Sequence, residues 1–339
     1  MARINLLTIH YGKCYGAVMQ TLATCKMLEN AGHSVCVINL INPAQKGIWE
    51  TFQFWKDGIR EFQFWLFKKK NFSKLTSKGY SIQDIVLPPA DVTVVGSDQV
   101  WNRDITGCFG ATFYLDFSKE TKKVALSSSF GKGRWDESKE YTEEIKDLLL
   151  QFSAISVREE TGVEILNNVF SLKATHLLDP TLGYGQFDHL VLNNKHIHQV
   201  YPFLLLDDTG AKEKANHIAN TLHLPLFKHT TISCRFKNGP RHWLTRIKNS
   251  DYIITDSFHG LAFSLIFNKQ FFVFCASKQK FTRLRSLLKL LSLEDRYIES
   301  IEDFENRKDI LLKPINYSHV NAVLKSEQEK YRMFIHDSI

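Results

Sequence analysis

"INLLTIHYGKCYGAVMQTLATCKMLENAGHSVCVINLI", residues 4 to 41, decides the fold class. "INLLTI" reads as a buried strand. "YGAVMQTLATCKMLENAGH" spaces its apolar residues as an amphipathic helix that ends at Gly32, and "SVCVINLI" is strand again. Strand, helix and strand in succession form a βαβ unit, which predicts a parallel sheet covered by helices. The alternation continues outward. "DVTVVGSDQVW", "KVALSSSFG" and "AISVREETGVEIL" each bring a strand into a polar turn, and "THLLDPTL" closes the first half. From about residue 187 the pattern restarts with "YPFLLLDD", "AKEKANHIANTLH", "LPLFKH", "PRHWLTRIKNS", "DYIITD" and "QFFVFC".

The chain therefore reads as two Rossmann-like α/β domains, 1–185 and 186–316, facing one another across a cleft. A charged C-terminal helix, 317–339, is expected to pack back on the first. At 339 residues, two cores are the ordinary expectation. Residues 46–80 stand out as an insertion dense in Phe, Trp and Lys.

Composition is that of a globular protein, 44% apolar and 23% charged. The net charge of +7 suits anionic partners, but no nucleic-acid motif accompanies it. The six cysteines, at 14, 25, 36, 108, 234 and 275, form no CxxC pair and no Cys/His array of zinc-like spacing, so no metal is expected. Isolated cysteines of this kind suit a reducing compartment. The N-terminus reads as a first strand, not a signal peptide, and no stretch of 18 apolar residues occurs. A cytoplasmic location is the expectation.

In parallel α/β sheets, ligands bind beyond the carboxyl ends of the strands, where the polar clusters fall. In "YIITDSFHG", Asp256, Ser257, His259 and Gly260 lie between a strand and a helix start, a ready anion site. Capping explains Asp256 or Ser257 without explaining His259. "VVGSDQVWN" places Ser97, Asp98, Gln99 and Trp101 at another strand end; the indole either stacks on a sugar or packs in the core. Arg158 in "SVREE" either forks onto phosphate or carboxylate, or pairs with Glu159 or Glu160. The first strand-to-helix loop carries His10, Tyr15, Gly16 and Gln20 but not GxGxxG, which disfavours a dinucleotide. Arg283 and Arg285, at a helix start, are either solvated or part of an anion clamp.

His10, Tyr15 to Gln20, "VGSDQVWN", "SSFG", "SVRE", "LDPTL" and "DYIITDSFHGLAFSLIFNKQF", in that order, resemble the polysaccharide pyruvyl transferase family. Cys14 departs from the pattern, since family members commonly carry Asn there. The resemblance implies a fold similar to that of GT-B glycosyltransferases. It also implies transfer of pyruvate from phosphoenolpyruvate to two hydroxyls of a sugar, on a polysaccharide or its lipid-linked precursor, forming a cyclic ketal and releasing phosphate. Phosphoenolpyruvate is then a donor substrate and no cofactor is needed. On this basis Arg158, Ser257, His259 and Gly260, with Arg283 or Arg285, are expected to hold the donor. His259 is expected to transfer the proton, and Asp98, then Asp256, to act as base. His10, Tyr15, Gly16, Gln20, Ser97, Gln99 and Trp101 are expected on the acceptor side.

"FWKDGIREFQFWLFKKK" either covers the sheet or lies on an anionic membrane, which would make the protein peripheral to the inner face. Two other functions fit the same architecture: a glycosyltransferase using a nucleotide sugar, and a non-catalytic sugar- or anion-binding relative.

Overall fold

A computed structural model describes residues 1–43, 48–205, 209–228, 237–274 and 278–339, without the side chains of 48–57, 209 and 278–282. Cys234, Cys275 and the aromatic side chains at 52, 54 and 55 lie outside the described residues. The chain divides into two compact units, one of Met1–Tyr184 with Ser326–Ile339 and one of Gly185–Lys325.

The first unit is built on a parallel sheet of seven strands among the described residues. These are β1 (Arg3–Leu7), β2 (Ser34–Val37), β3 (Lys74–Leu75), β4 (Val92–Val95), β5 (Lys122–Ser128), β6 (Phe152–Val157) and β7 (Thr175–His176). Their order is β3-β2-β1-β4-β5-β6-β7. The strand order reverses between β1 and β4, the point at which an open α/β sheet forms its binding crevice.

Alternation along the strands sends successive residues to opposite faces. Leu6, Val94, Val124 and Leu126 join one core, while Leu7, Val95 and Ala125 join the other. Both faces are covered, so the central strands are buried along nearly their whole length. The helix Tyr15–Asn30 ends at Ala31, and Gly32 follows at φ +88, a left-handed value open to glycine at little cost.

The last turns of the helix Tyr317–Ser338 complete one face of this unit. Tyr331 and Ile335 are buried with Ile4, Leu6 and Val94. The Ser127 hydroxyl lies 3.0 Å from the Tyr331 oxygen, and burial pushes that phenol far above its ordinary range.

The second unit holds β8 (Ile197–Phe203), β9 (Ser250–Thr255) and β10 (Gln270–Val273), parallel and ordered β10-β9-β8. Single bridges from Leu226 to Val200 and from Tyr297 to Val273 widen it on both sides. Val200, Ile254 and Phe272 pack against Ile218, Phe304 and Leu311.

The aromatic insertion contains the helix Ile48–Asn71, followed by β3. Phe64 and Phe67 are buried, whereas Ile59, Phe62 and Trp65 are exposed. No helix among the described residues is long and apolar enough to cross a membrane.

Replacing Tyr331 by Ala removes the largest side chain that this C-terminal helix buries in the first unit and orphans the Ser127 contact. Urea unfolding should show a loss of about 3–5 kcal/mol, the usual cost of truncating a buried aromatic. A loss below about 1 kcal/mol would show that the helix is dispensable to the first core.

Candidate functional site

Beyond the carboxyl ends of β1 and β4, the crevice is tied by one hydrogen bond: the Thr8 hydroxyl donates to the Ser97 carbonyl at 2.8 Å. Gly96 permits this approach, since a Cβ there would stand 3.0 Å from that of Thr8. The Gln20 amide braces the loop by donating to the Thr8 hydroxyl and the Ile9 carbonyl, both at 2.9 Å.

Asp98 follows with φ 75, a conformation that side chains other than glycine rarely adopt. Its carboxylate accepts the Gln99 N–H at 2.9 Å and lies 3.5 Å from an Arg158 nitrogen, with 16% of the side chain exposed. A strained non-glycine residue at a ligand crevice is a functional signature when the surroundings hold it there. Here they do.

Arg158 ends β6 with only 1% of its side chain exposed. It donates to Asp179 at 2.9 Å, and Glu159 lies 3.7 Å from its Nε. Burial disfavours its charge, yet Glu159, Asp98 and Asp179 more than compensate and hold its pKa above the ordinary value. Asp179 is sealed as well. One oxygen takes the Thr181 N–H at 2.9 Å and the Thr181 hydroxyl at 2.7 Å, while the other takes Arg158. Glu159 accepts the Ser129 hydroxyl. Three carboxylates thus surround one guanidinium.

The expected roles change accordingly. Arg158 is neither an open anion anchor nor an exposed surface pair; a buried cation faced by three acids is poorly suited to a phosphate. Trp101 is a core residue, stacked on Tyr114 at 5.6 Å with its N–H given to the Phe113 carbonyl, so no sugar reaches its face. Gln20 and Ser97 are fully buried, Gln20 bracing its loop and the Ser97 hydroxyl donating to Asp179 at 3.4 Å, so neither faces an acceptor. His10 is buried too, its ring nitrogens 3.0 Å from the Thr8 carbonyl and 3.2 Å from Asn39; burial lowers its pKa. Gly16 is buried in the first turn of its helix.

Gln99 and Tyr15 remain partly accessible. The Gln99 amide oxygen accepts from Asn102 at 2.9 Å, and it fills the place where a Cβ on Gly131 would stand. Tyr15 packs on Phe64 and under Arg60.

Tyr11 is a residue that the sequence did not single out. Its hydroxyl is pushed up to about 12 by burial, with Cys108 and Asp98 raising it further and an Asn42 hydrogen bond opposing them. The Cys14 thiol is likewise raised, first by burial and then by Asp98. Both groups therefore stay protonated beside Asp98 at neutral pH.

In the second unit, β9 runs into the helix Phe258–Ile266. Ser257 caps it, its hydroxyl accepting the Gly260 N–H at 3.4 Å. Asp256 accepts the Leu205 N–H at 2.7 Å and so ties β9 to the chain leaving β8. Gly260 serves packing, not ligand approach: a Cβ there would lie 2.1 Å from the Thr255 hydroxyl, which holds the Phe203 carbonyl. His259 stands partly exposed at the positive end of this helix.

Arg283 and Arg285 do not begin a helix; they fall inside the helix Lys278–Leu290. Two residues apart on a helix they point about 200° apart. Arg283 is half-buried and Arg285 exposed, so they form no common clamp. Three cations without a distinctive motif, Arg246, Lys237 and Arg241, surround His242, whose pKa is lowered first by burial and then by them.

Removing the Arg158 guanidinium leaves three acids without their cation. Arg158→Ala should cost about 3–5 kcal/mol of stability, as expected when one partner of a buried pair is lost. Urea unfolding that shows no loss would remove Arg158 from the foundation of this site.

The polysaccharide pyruvyl transferase family matches residues 15–274. No curated protein matches the chain. Among solved structures, UGT89C1 of Arabidopsis thaliana superposes with a TM-score of 0.52 at 9% identity, covering 99% of each chain. The same protein complexed with UDP-L-rhamnose gives 0.53 at 8%, again over 99% of each chain. A functionally uncharacterised protein of Klebsiella pneumoniae gives 0.43 at 12%, covering 72% of this chain and 88% of that one. The Arabidopsis likeness concerns the fold alone, which is that of GT-B glycosyltransferases.

Proposed function

The chain belongs to the polysaccharide pyruvyl transferase family, and on that premise we propose that it moves the pyruvyl group of phosphoenolpyruvate onto two hydroxyls of a sugar. Protonation of the donor's methylene carbon makes C2 cation-like. One sugar hydroxyl adds to C2, the C2–O bond to phosphate breaks, and the neighbouring hydroxyl closes the ketal. Of the two hydroxyl protons, one is balanced by that gained at the methyl carbon and the other leaves with phosphate. The reaction needs an acid, a base and an anion site; this reading calls on no further cofactor.

The observation that carries the reading is Asp98, a strained and partly exposed carboxylate braced by a buried Arg158. We assign it as the base for the acceptor hydroxyl, with Tyr11, Tyr15 and Gln99 beside the sugar. The negative surroundings of Arg158 favour a neutral acceptor over the donor in the first unit. The donor is assigned to the second unit, at the helix start that carries Ser257 and His259. His259 is assigned as the proton-transferring group because its ring stands partly exposed at this helix start; Asp256, already committed to Leu205, is the weaker candidate for a base.

Phosphoenolpyruvate should raise the melting temperature saturably, where a nucleotide sugar does not. His259→Ala and Asp98→Asn should each lower turnover by about 10²-fold or more. Stabilisation by a nucleotide sugar alone would move the assignment to glycosyl transfer. No stabilisation by either would favour a non-catalytic relative.

A lipid-linked acceptor at an anionic membrane is the second part of the proposal. The helix Ile48–Asn71 turns Phe64 and Phe67 inward and Ile59, Phe62 and Trp65 outward. Phe62 and Trp65 lie 5.7 Å apart, Lys69 stands 5.0 Å over Trp65, and Lys70 is exposed next to it. Aromatic side chains flanked by lysines suit an anionic interface. The protein should sediment with anionic liposomes, and Phe62→Glu with Trp65→Glu should abolish this. Equal binding by that variant would exclude the helix from the contact.

A further inference from the structure

At the amino ends of β8 and β9, away from the carboxyl edge that carries His259, three metal-competent side chains converge. His196 immediately precedes β8 and His198 is its second residue, so the two imidazoles fall on one side of the strand. Asp251 stands at the start of β9, which pairs with β8. Each carboxylate oxygen takes a different ring: Oδ1 lies 2.8 Å from His196 Nε2, and Oδ2 lies 3.3 Å from His198 Nδ1. The rings are 4.8 Å apart and nearly perpendicular. All the donor atoms lie within 4.8 Å of one another.

Two exposed His–Asp pairs contribute little to stability as ion pairs. As a donor set they amount to more. Zinc bonds of about 2.0–2.2 Å to nitrogen and oxygen place neighbouring tetrahedral ligands about 3.3–3.6 Å apart; the His198–Asp251 separation of 3.3 Å already fits, and the 2.8 Å His196–Asp251 hydrogen bond would open to admit the ion. Two imidazoles and one carboxylate suit zinc, copper or nickel better than calcium or magnesium, which prefer oxygen shells. The third ligand lies 53 residues beyond His198, which is why no sequence spacing announced the set. The nearby Lys269, whose ammonium donates to the Lys248 carbonyl, and Lys248 itself are cations that temper the affinity without occupying the donor atoms.

We propose that His196, His198 and Asp251 bind one divalent transition-metal ion, with zinc the probe of choice, and that the ion pins the starts of β8 and β9 together. The site is independent of the pyruvyl-transfer assignment. Full-length protein stripped with EDTA is titrated with zinc sulfate against a chromophoric zinc chelator, and melting temperature is followed in parallel. The wild type should bind one equivalent and melt higher. His198→Ala and His196→Gln, both at exposed positions, should each weaken binding at least tenfold and lose the thermal gain. Absence of wild-type binding overturns the site. So does binding that survives both substitutions, as it would if the free thiol of Cys14 or Cys108 held the metal.

Discussion

The guanidinium of Arg158, shut from water among Asp179, Glu159 and Asp98, joins the ends of four strands of the first sheet. Asp98 comes from the end of β4, Arg158 and Glu159 from β6, Asp179 from just beyond β7, and Ser129 brings in β5 through Glu159. Charges of this kind cost several kcal/mol each to bury and are tolerated only when opposite charges surround them. Each strand end must therefore arrive in register before any of them is stable. The left-handed backbone of Asp98 is one consequence, because the arrangement that satisfies Arg158 holds Asp98 in a conformation it would not choose alone.

The same constraint bears on the roles proposed for the two units. On the proposed function, the acids around Arg158 disfavour a donor that carries phosphate and carboxylate and suit positive charge developing on an attacking hydroxyl. In the second unit, the helix start at Ser257–His259 and the cations near His242 have the opposite sign. The proposed assignment of base and donor rests on the charges that each unit displays by itself.

Much of this was legible in the sequence. The βαβ reading of residues 4–41 and the motifs "VGSDQVWN" and "ITDSFHG" located the strand ends, because a β-branched apolar run must stop where small polar residues replace it. Side-chain roles were less legible. Trp101 stayed open between a sugar platform and the core because its partners Tyr114, Phe130 and Phe152 are distant in sequence. Arg158 looked open because Asp179, 21 residues later, appeared only as part of "LDPTL". A signal did exist there: Asp followed by Pro and Thr marks a carboxylate that caps a short helix, and such a residue is seldom left exposed. Gly260 was read for its ligand-facing side when its need was the Thr255 hydroxyl behind it.

The central claim is that the carbon skeleton of phosphoenolpyruvate, and not its phosphate or a sugar nucleotide, is what the protein transfers. The direct measurement supplies carbon-labelled phosphoenolpyruvate together with lipid-linked and free saccharide acceptors, and follows label and free phosphate together. The account predicts that carbon label enters an acid-labile saccharide product in step with equimolar phosphate release, and that Asp98→Asn stops both. Phosphate appearing on the saccharide, or product formed only when a nucleotide sugar is supplied, would contradict it.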